Sequence, residues 1–484
     1  MRPTRLAALA GLLVIALAAL ARNLPSLSPG MRNWAEPGNV AAALVQGRGF
    51  SDPFDGGTGP TAWVSPLPVW VEAAAFLACG VKTAAAAKAL LALTVAGLAA
   101  ANALLLSALA PLGRWARAVA SAAFLAYVTL LPGGPLEVLS EAWLDLLLSA
   151  ALVWAVLAAA RSPGARTGTA LVAVAFLAPL DNAGLALATG LLLAGLAWTL
   201  RAEPRRLALP AAAAIGAALA VGLWTARNAA ALGRFVPLKS NLWFELHLAN
   251  VDSADGLPRM ETVMRRLPYF DVSEFNRYAR LGEMAYVDSF REPSLRAIRA
   301  DPAHFLGNVL RRARVAAVFC RSEGGGAFTR HAFAPGDAAR LASAGELIPA
   351  GPAGGLWTRA DASPESERPL LQSLGLSDEP AAWADWSATH RDYEAQFHGL
   401  AGTAVGYLTA GVPVLALLVA ALAAGGRLAP PGLCALAVGF CLLFPFVLVN
   451  HNSRHQMPLL AMQAVALGVC AQALADRACR GSPS

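Results

Sequence analysis

Residues 63–81 read WVSPLPVWVEAAAFLACGV, and whether they cross a membrane decides the orientation of everything downstream. The stretch has nearly the length needed to span a hydrocarbon core of roughly 30 Å. Yet Glu72 sits at its middle, and Pro66 and Pro68 break its start. Counted as a span, it would carry the later arginine pairs to the outer side. We read it as a juxtamembrane or re-entrant helix, which leaves Lys82 and Lys88 outside.

Working outward from it, apolar runs occur at 6–22, 86–110, 117–132, 143–160, 167–180, 183–200, 207–226, 399–424, 430–449 and 457–476. A chain of 484 residues with 57% hydrophobic and 14% charged residues cannot bury that surface in soluble cores. The expected fold is an all-α polytopic membrane protein of about ten transmembrane helices, because the runs are rich in Ala and Leu. With the N-terminus inside, the inner connections carry Arg2 and Arg5, Arg114 and Arg117, Arg161 and Arg166, Arg201 with Arg205 and Arg206, Arg427, and Arg477 with Arg480. This follows the positive-inside pattern. It places both termini in the cytoplasm, the chain in the inner (cytoplasmic) membrane, and the large loop outside. The short outer connections hold Glu137, Glu141 and Asp181, with Arg454 as an exception. The first run also fits a secretory signal, with Arg2 and Arg5 ahead of it and Ala19-Leu20-Ala21 imitating a cleavage site; an uncleaved span is favoured. The formal charge of +7 sits largely at run ends, facing lipid headgroups, so nucleic acid is not an expected partner. The six cysteines are scattered and form neither a disulfide framework nor a CxxC metal site.

Three regions follow: a transmembrane catalytic module at 1–226 with outer loops 23–85 and 133–142, a mixed extracytoplasmic domain at 227–398, and transmembrane helices at 399–484. In the outer domain, RFVPLKSNLWFELHLANV (234–251) reads as extended. EFNRYARLGEMAYVDSF (274–290) puts Phe275, Tyr278, Leu281, Ala285 and Phe290 near one helical face. Asp301 and Pro302 open a further helix, whose apolar residues face Arg311, Arg312 and Arg314, and which could lie on the membrane surface or pack on its own domain. Residues 323–356 read as a flexible connection, and Trp357, Trp383, Trp386, Tyr393 and Phe397 as an aromatic belt.

Four stretches carry a resemblance: AEPGNVAAALVQGRGFSDPF (35–54), LEVLSEAWLDLLLSAALVW (136–154), LWTARNAAALGRFVPLKSNLWFEL (223–246) and SRHQMPLLAMQAVAL (453–467). Their order resembles the GT-C superfamily of polyprenyl-phosphate-sugar-dependent glycosyltransferases. The local pattern is similar to bacterial relatives of the protein O-mannosyltransferase and lipid A aminoarabinose transferase group. Residues 321–398 carry none of it. The resemblance implies a polyprenyl-phosphate-linked sugar donor, a lipid, glycan or protein acceptor, and an extracytoplasmic site. Where relatives often pair two acids, this chain has Glu36 followed by Pro37.

The chemistry requires a carboxylate that takes the acceptor hydroxyl proton during attack on the anomeric carbon, with inversion in a single displacement. Glu36 is the candidate base; otherwise it is a solvated loop glutamate. Glu141 aligns with the second acidic position and would orient a sugar or help hold a divalent cation, the one cofactor the pattern admits; otherwise it is an acid at a helix N-terminus. Glu137, Glu141 and Asp145 recur every fourth residue and share a face if that entry is helical. The leaving phosphate needs cations and donors. Arg454 and His455 come first, then Arg227 with Asn228, then Lys239; each also suits an interfacial lipid anchor. His451 and His455 have metal-ligand spacing only if helical, and no metal ligands are assigned. GGTGP at 56–60 reads as a plain turn, lacking the phosphate-loop spacing. The alternatives are a polysaccharide polymerase or ligase using outer-loop arginines, a transporter using acids such as Asp145 and Asp181, and a non-catalytic scaffold.

Overall fold

The computed structural model describes residues 3–23, 34, 36–130, 135–136, 140–253, 256–257, 266–268, 271–317, 348–349, 357–358, 429–449 and 457–480. Glu137, the 399–424 run, the connection at 323–347, and the loop bearing His451, Arg454 and His455 lie outside these residues. So do Trp383, Trp386, Tyr393 and Phe397.

Six helices are long and apolar enough to cross a membrane: Ala84–Ala108, Ala142–Arg161, Ala183–Leu200, Pro204–Leu232, Ala429–Leu448 and Met457–Cys479. The chain is therefore an all-α, multi-pass membrane protein in its described part. In chain order the helices are α1 (Pro3–Asn23), α2 (Glu36–Val45), α3 (Pro66–Cys79), α4 (Ala84–Ala108), α5 (Arg114–Leu130), α6 (Ala142–Arg161), α7 (Ala165–Asp181), α8 (Ala183–Leu200) and α9 (Ala208–Leu232). Then follow α10 (Leu242–His247), α11 (Val272–Leu281), α12 (Glu283–Asp288), α13 (Arg291–Ala300), α14 (Pro302–Ala317), α15 (Ala429–Leu448) and α16 (Leu460–Arg480). Each apolar run within the described residues coincides with one of these helices.

Local signals start several of them. The Thr83 hydroxyl accepts from Ala86 N at 3.1 Å and opens α4. Asn182 Oδ1 accepts from Gly184 N at 2.8 Å and opens α8 directly after α7. Leu98, Leu105, Phe124, Leu146, Leu171, Leu185 and Val465 are buried in one continuous core. The closest approach is α16 on α5, where Gly468 faces Ala116: an added Cβ would overlap the Ala116 carbonyl oxygen and stand 2.9 Å from Ala120 Cβ. Backbone cannot yield as a side chain does. Gly468→Val is expected to lower stability in detergent by about 1–3 kcal/mol, read as a fall in Tm; an unchanged Tm would mean that the pair separates freely.

Helix α3 is apolar but is not among the helices long enough to span. At 1.5 Å per residue its 14 residues cover roughly two-thirds of a hydrocarbon core. Both of its ends return to one loop: beyond its C-terminus Lys82 Nζ donates to Asp55 Oδ2 at 3.0 Å, and before its N-terminus the Trp63 ring meets the Phe54 ring at 5.1 Å. Helices α1 and α4, which flank this stretch in the chain, pack together.

The outer block departs from expectation in three places. Residues 234–251 are not extended; α10 runs into a π-helical turn at Leu248–Asp252. Helical spacing lets Phe244 and Leu248 bury together in the aromatic cluster, and that packing overrides strand propensity. Residues 274–290 are not one helix, because Gly282 at φ +73° ends α11 and begins α12. The bend re-phases the chain, so Tyr286 and Val287 join the core and Leu281 is exposed. Within its described residues the domain is helical but for one strand pairing, Ile348–Pro349 with Trp357–Thr358. Finally, Arg312 is not on a polar face but fully buried. Asp301 does cap α14, accepting from His304 N at 2.8 Å.

Candidate functional site

The loop between α1 and α4 gathers on one face of the bundle. Glu36 occupies the first turn of α2, half-buried and, among the described residues, without an ion-pair or hydrogen-bond partner. An acid at that position is favoured by the helix dipole, and its oxygens stay available. Two residues on, an added Cβ at Gly38 would lie 2.9 Å from Glu72 Oε2 and 3.0 Å from the Trp34 side chain. Glycine alone lets the α3 carboxyl approach the start of α2. Glu72 is 8% exposed, and its Oε2 has no hydrogen-bond partner among the described residues.

Burial pushes the Glu72 carboxyl up to about 8, with Glu141 adding to the rise and Lys82 opposing it. A carboxyl raised in this way binds its proton more tightly in the folded state. Its stabilising contribution is complete below the unfolded value of 4.5 and is lost as pH rises through about 8. Glu72→Gln is uncharged throughout, so relative to wild type it is expected to gain stability as pH rises from 4.5 past 8. Thermal unfolding across pH, wild type beside variant, reads this; parallel curves would overturn it.

Glu141 is exposed at the start of α6, in helical conformation at φ −78°, ψ −18°. Asp145, one turn further, faces Asp181 at the end of α7 within hydrogen-bonding reach, and Asn182 Nδ2 donates to Asp145 Oδ1 at 3.1 Å. Two carboxyls so close need a proton or a cation between them. Lys239 is exposed nearby and acts electrostatically on Asp145. Helices α2, α3, α6 and α7 thus bring Glu36, Glu72, Glu141, Asp145 and Asp181 to one region.

The remaining sequence candidates have other surroundings. Arg227 donates to Thr61 O at 2.6 Å, Phe50 O at 2.5 Å and Asn228 Oδ1 at 3.0 Å, beneath the Phe50 and Trp224 rings. Asn228 is fully buried and donates to Val236 O at 2.9 Å. Both support the loop. In the GGTGP turn, Gly59 N donates to Asp52 Oδ1 at 3.0 Å, so that amide closes the turn. Asp52, Asp55 and Lys82 have left-handed φ of 61°, 58° and 53°, a strained conformation for these residues. Side-chain ties hold it: Arg48 pairs with Asp52, and Lys82 Nζ reaches Asn39 Oδ1 at 2.8 Å as well as Asp55.

Three features escaped sequence reasoning. Glu72 was legible only as an acid in an apolar helix, the signal that excluded a span. Glu283, buried, accepts from Ala62 N at 2.7 Å, from Tyr278 Oη at 2.6 Å and from the Thr61 hydroxyl, joining the first loop to the outer domain. Ser294, His247 and Asp252 form the third: Ser294 Oγ lies 3.4 Å from His247 Nδ1, and His247 Nε2 3.6 Å from Asp252 Oδ1. That order suits a nucleophile, but Ser294 is fully buried and donates to Phe290 O at 2.7 Å, so it is a packing contact.

Fold and site together define a multi-pass helical membrane protein with several carboxylates gathered under the loop between α1 and α4. No family model, curated protein or solved structure matches the chain.

Proposed function

We propose that the protein is a membrane glycosyltransferase that moves a sugar from a polyprenyl-phosphate donor to an acceptor hydroxyl on the extracytoplasmic face. The observation that carries this reading is the approach of the buried Glu72 carboxyl to Gly38 at the start of α2, the helix that Glu36 opens, with Glu141 acting electrostatically on Glu72. The topology behind it has about ten spans, termini in the cytoplasm and the carboxylates outside, because Arg114, Arg117, Arg161, Arg166, Arg201, Arg205 and Arg206 lie at the opposite helix ends.

In the reaction, the Glu36 carboxylate takes the acceptor proton as the hydroxyl oxygen bonds to the anomeric carbon. The carbon–oxygen bond to phosphate breaks, the polyprenyl phosphate leaves with the electron pair, and the anomeric centre inverts. Glu141 accepts sugar hydroxyls across the opening, and Lys239 meets the phosphate. Arg227 and Asn228 hold the loop that presents Glu36, and Arg454 and His455 complete the cationic side in the sequence-based assignment.

The test is turnover by reconstituted protein with a panel of polyprenyl-phosphate sugars, following free polyprenyl phosphate. Release with any donor supports the reading; none with every donor removes it. The second reading, a proton- or cation-coupled transporter, draws on the facing Asp145 and Asp181. Substrate flux into liposomes without lipid turnover would favour it.

A further inference from the structure

Helix α14 has an apolar face that nothing among the described residues covers. Leu306 and Leu310, one turn apart, are 56% and 61% exposed, and Pro302 and Ala303 continue the face. On the other side of the helix Asn308 and Arg312 are buried. The position of this helix is pinned by Arg312, which has no carboxylate partner among the described residues. Its Nε donates to Val447 O at 2.8 Å and its Nη2 to Leu448 O at 3.1 Å, while Nη1 reaches Gly256 O at 3.0 Å. Val447 and Leu448 end α15, a helix long and apolar enough to span. Cationic donors on terminal carbonyls complement the negative end of the helix dipole. The middle of α14 therefore lies beside the C-terminal end of α15.

At that end α15 exposes Phe440, Phe444 and Leu448 in a row with helical spacing, the pattern of a lipid-facing stripe, whereas Val438 and Leu442 are buried inside the bundle. Helix α14 packs against this helix through its Arg312 side, which leaves the Leu306 and Leu310 face turned away from the contact. Arg296 and Arg299 on α13 and Arg311 on α14 are exposed in the same stretch. Apolar residues beside a span end, flanked by arginines, are the makings of a helix lying in the headgroup region.

We propose that α14 is an interfacial anchor, with Leu306 and Leu310 seated in the outer leaflet and Arg296 and Arg299 of α13 on anionic phospholipid headgroups. It fixes the height of the outer domain above the bilayer, independently of which reaction the carboxylates perform.

The test uses the full chain in phosphatidylcholine vesicles with and without phosphatidylglycerol. Spin labels are placed at Leu306→Cys, Leu310→Cys and His304→Cys with the native cysteines replaced. At 306 and 310, accessibility to oxygen is expected to exceed that to a water-soluble nickel complex, more strongly with phosphatidylglycerol, and at 304 the order reverses. Nickel exceeding oxygen at 306 and 310 overturns the proposal, as does exclusion of both reagents, which would mean that protein covers the face. Should the cysteine-free chain fail to fold, wild-type protein with a photoactivatable phosphatidylglycerol gives the same decision. Adducts on residues 302–311 support the anchor, and their absence beside adducts on α15 overturns it.

Discussion

Glu36→Gln is expected to slow release of polyprenyl phosphate by about 10²–10⁴-fold, the usual effect of removing a positioned general base. The amide keeps the size and the place at the start of α2 but cannot take the acceptor proton. Because Glu36 is half-buried and without a partner among the described residues, the change should leave Tm close to wild type. Glu141→Gln is expected to produce a comparable loss of transfer, with a lowered Glu72 value as an independent sign, since Glu141 adds to the Glu72 rise. The measurement is single-donor turnover beside thermal unfolding of the same preparations. Wild-type turnover in both variants would remove the site assignment. Loss of turnover together with a collapse in Tm would reassign both residues to structural support.

The second large effect is expected at Glu283. Replacement by Leu leaves Ala62 N–H and the Tyr278 and Thr61 hydroxyls without their acceptor in a buried setting. Each unsatisfied donor costs about 1–3 kcal/mol, so Glu283→Leu should destabilise by at least about 3 kcal/mol. Glu283→Gln, which keeps one accepting oxygen, should fall between. Burial pushes the Glu283 carboxyl up, and the hydrogen bonds from Thr61, Tyr278 and Ala62 N pull it back. Around it Trp63, Phe54, Phe244, Tyr278 and Tyr286 form a shared aromatic core, with Trp63 and Phe244 centroids 5.1 Å apart. Proteolysis near residues 51–61 should therefore accelerate in Glu283→Leu along with the drop in Tm. A variant with wild-type Tm and cleavage rate would show that the loop and the outer domain are joined by apolar packing alone.

The parts that sequence reading reached and the parts it missed differ in range. Apolar runs such as 84–108 and 142–161 announce themselves because a helix satisfies its own backbone whatever surrounds it in lipid. The start of α3 at Pro66 was legible for a similarly local reason, since proline is favoured in the first turn of a helix. Caps at Asp301 and Thr83 likewise involve residues three apart. The break at Gly282 was harder: a glycine inside a periodic stretch is compatible with a continuous helix, and the burial of Tyr286 and Phe290 decided the bend.

By itself the sequence determined the all-α class and the positions of the membrane-length helices among the described residues, because these depend on composition and on contacts within a few residues. Only the tertiary structure decided which acids meet. Glu72 and Gly38 are thirty-four positions apart, Glu72 and Glu141 sixty-nine, and nothing in their local spacing brings them together. The same holds for Arg227, which its neighbours suggested as a phosphate ligand and which the fold turned onto the carbonyls of Phe50 and Thr61. It holds too for Arg312, read on the charged side of an amphipathic helix and found on the last carbonyls of α15. A charged side chain can meet its hydrogen-bonding needs from any distant backbone that packing delivers, and such packing is a property of the assembled bundle.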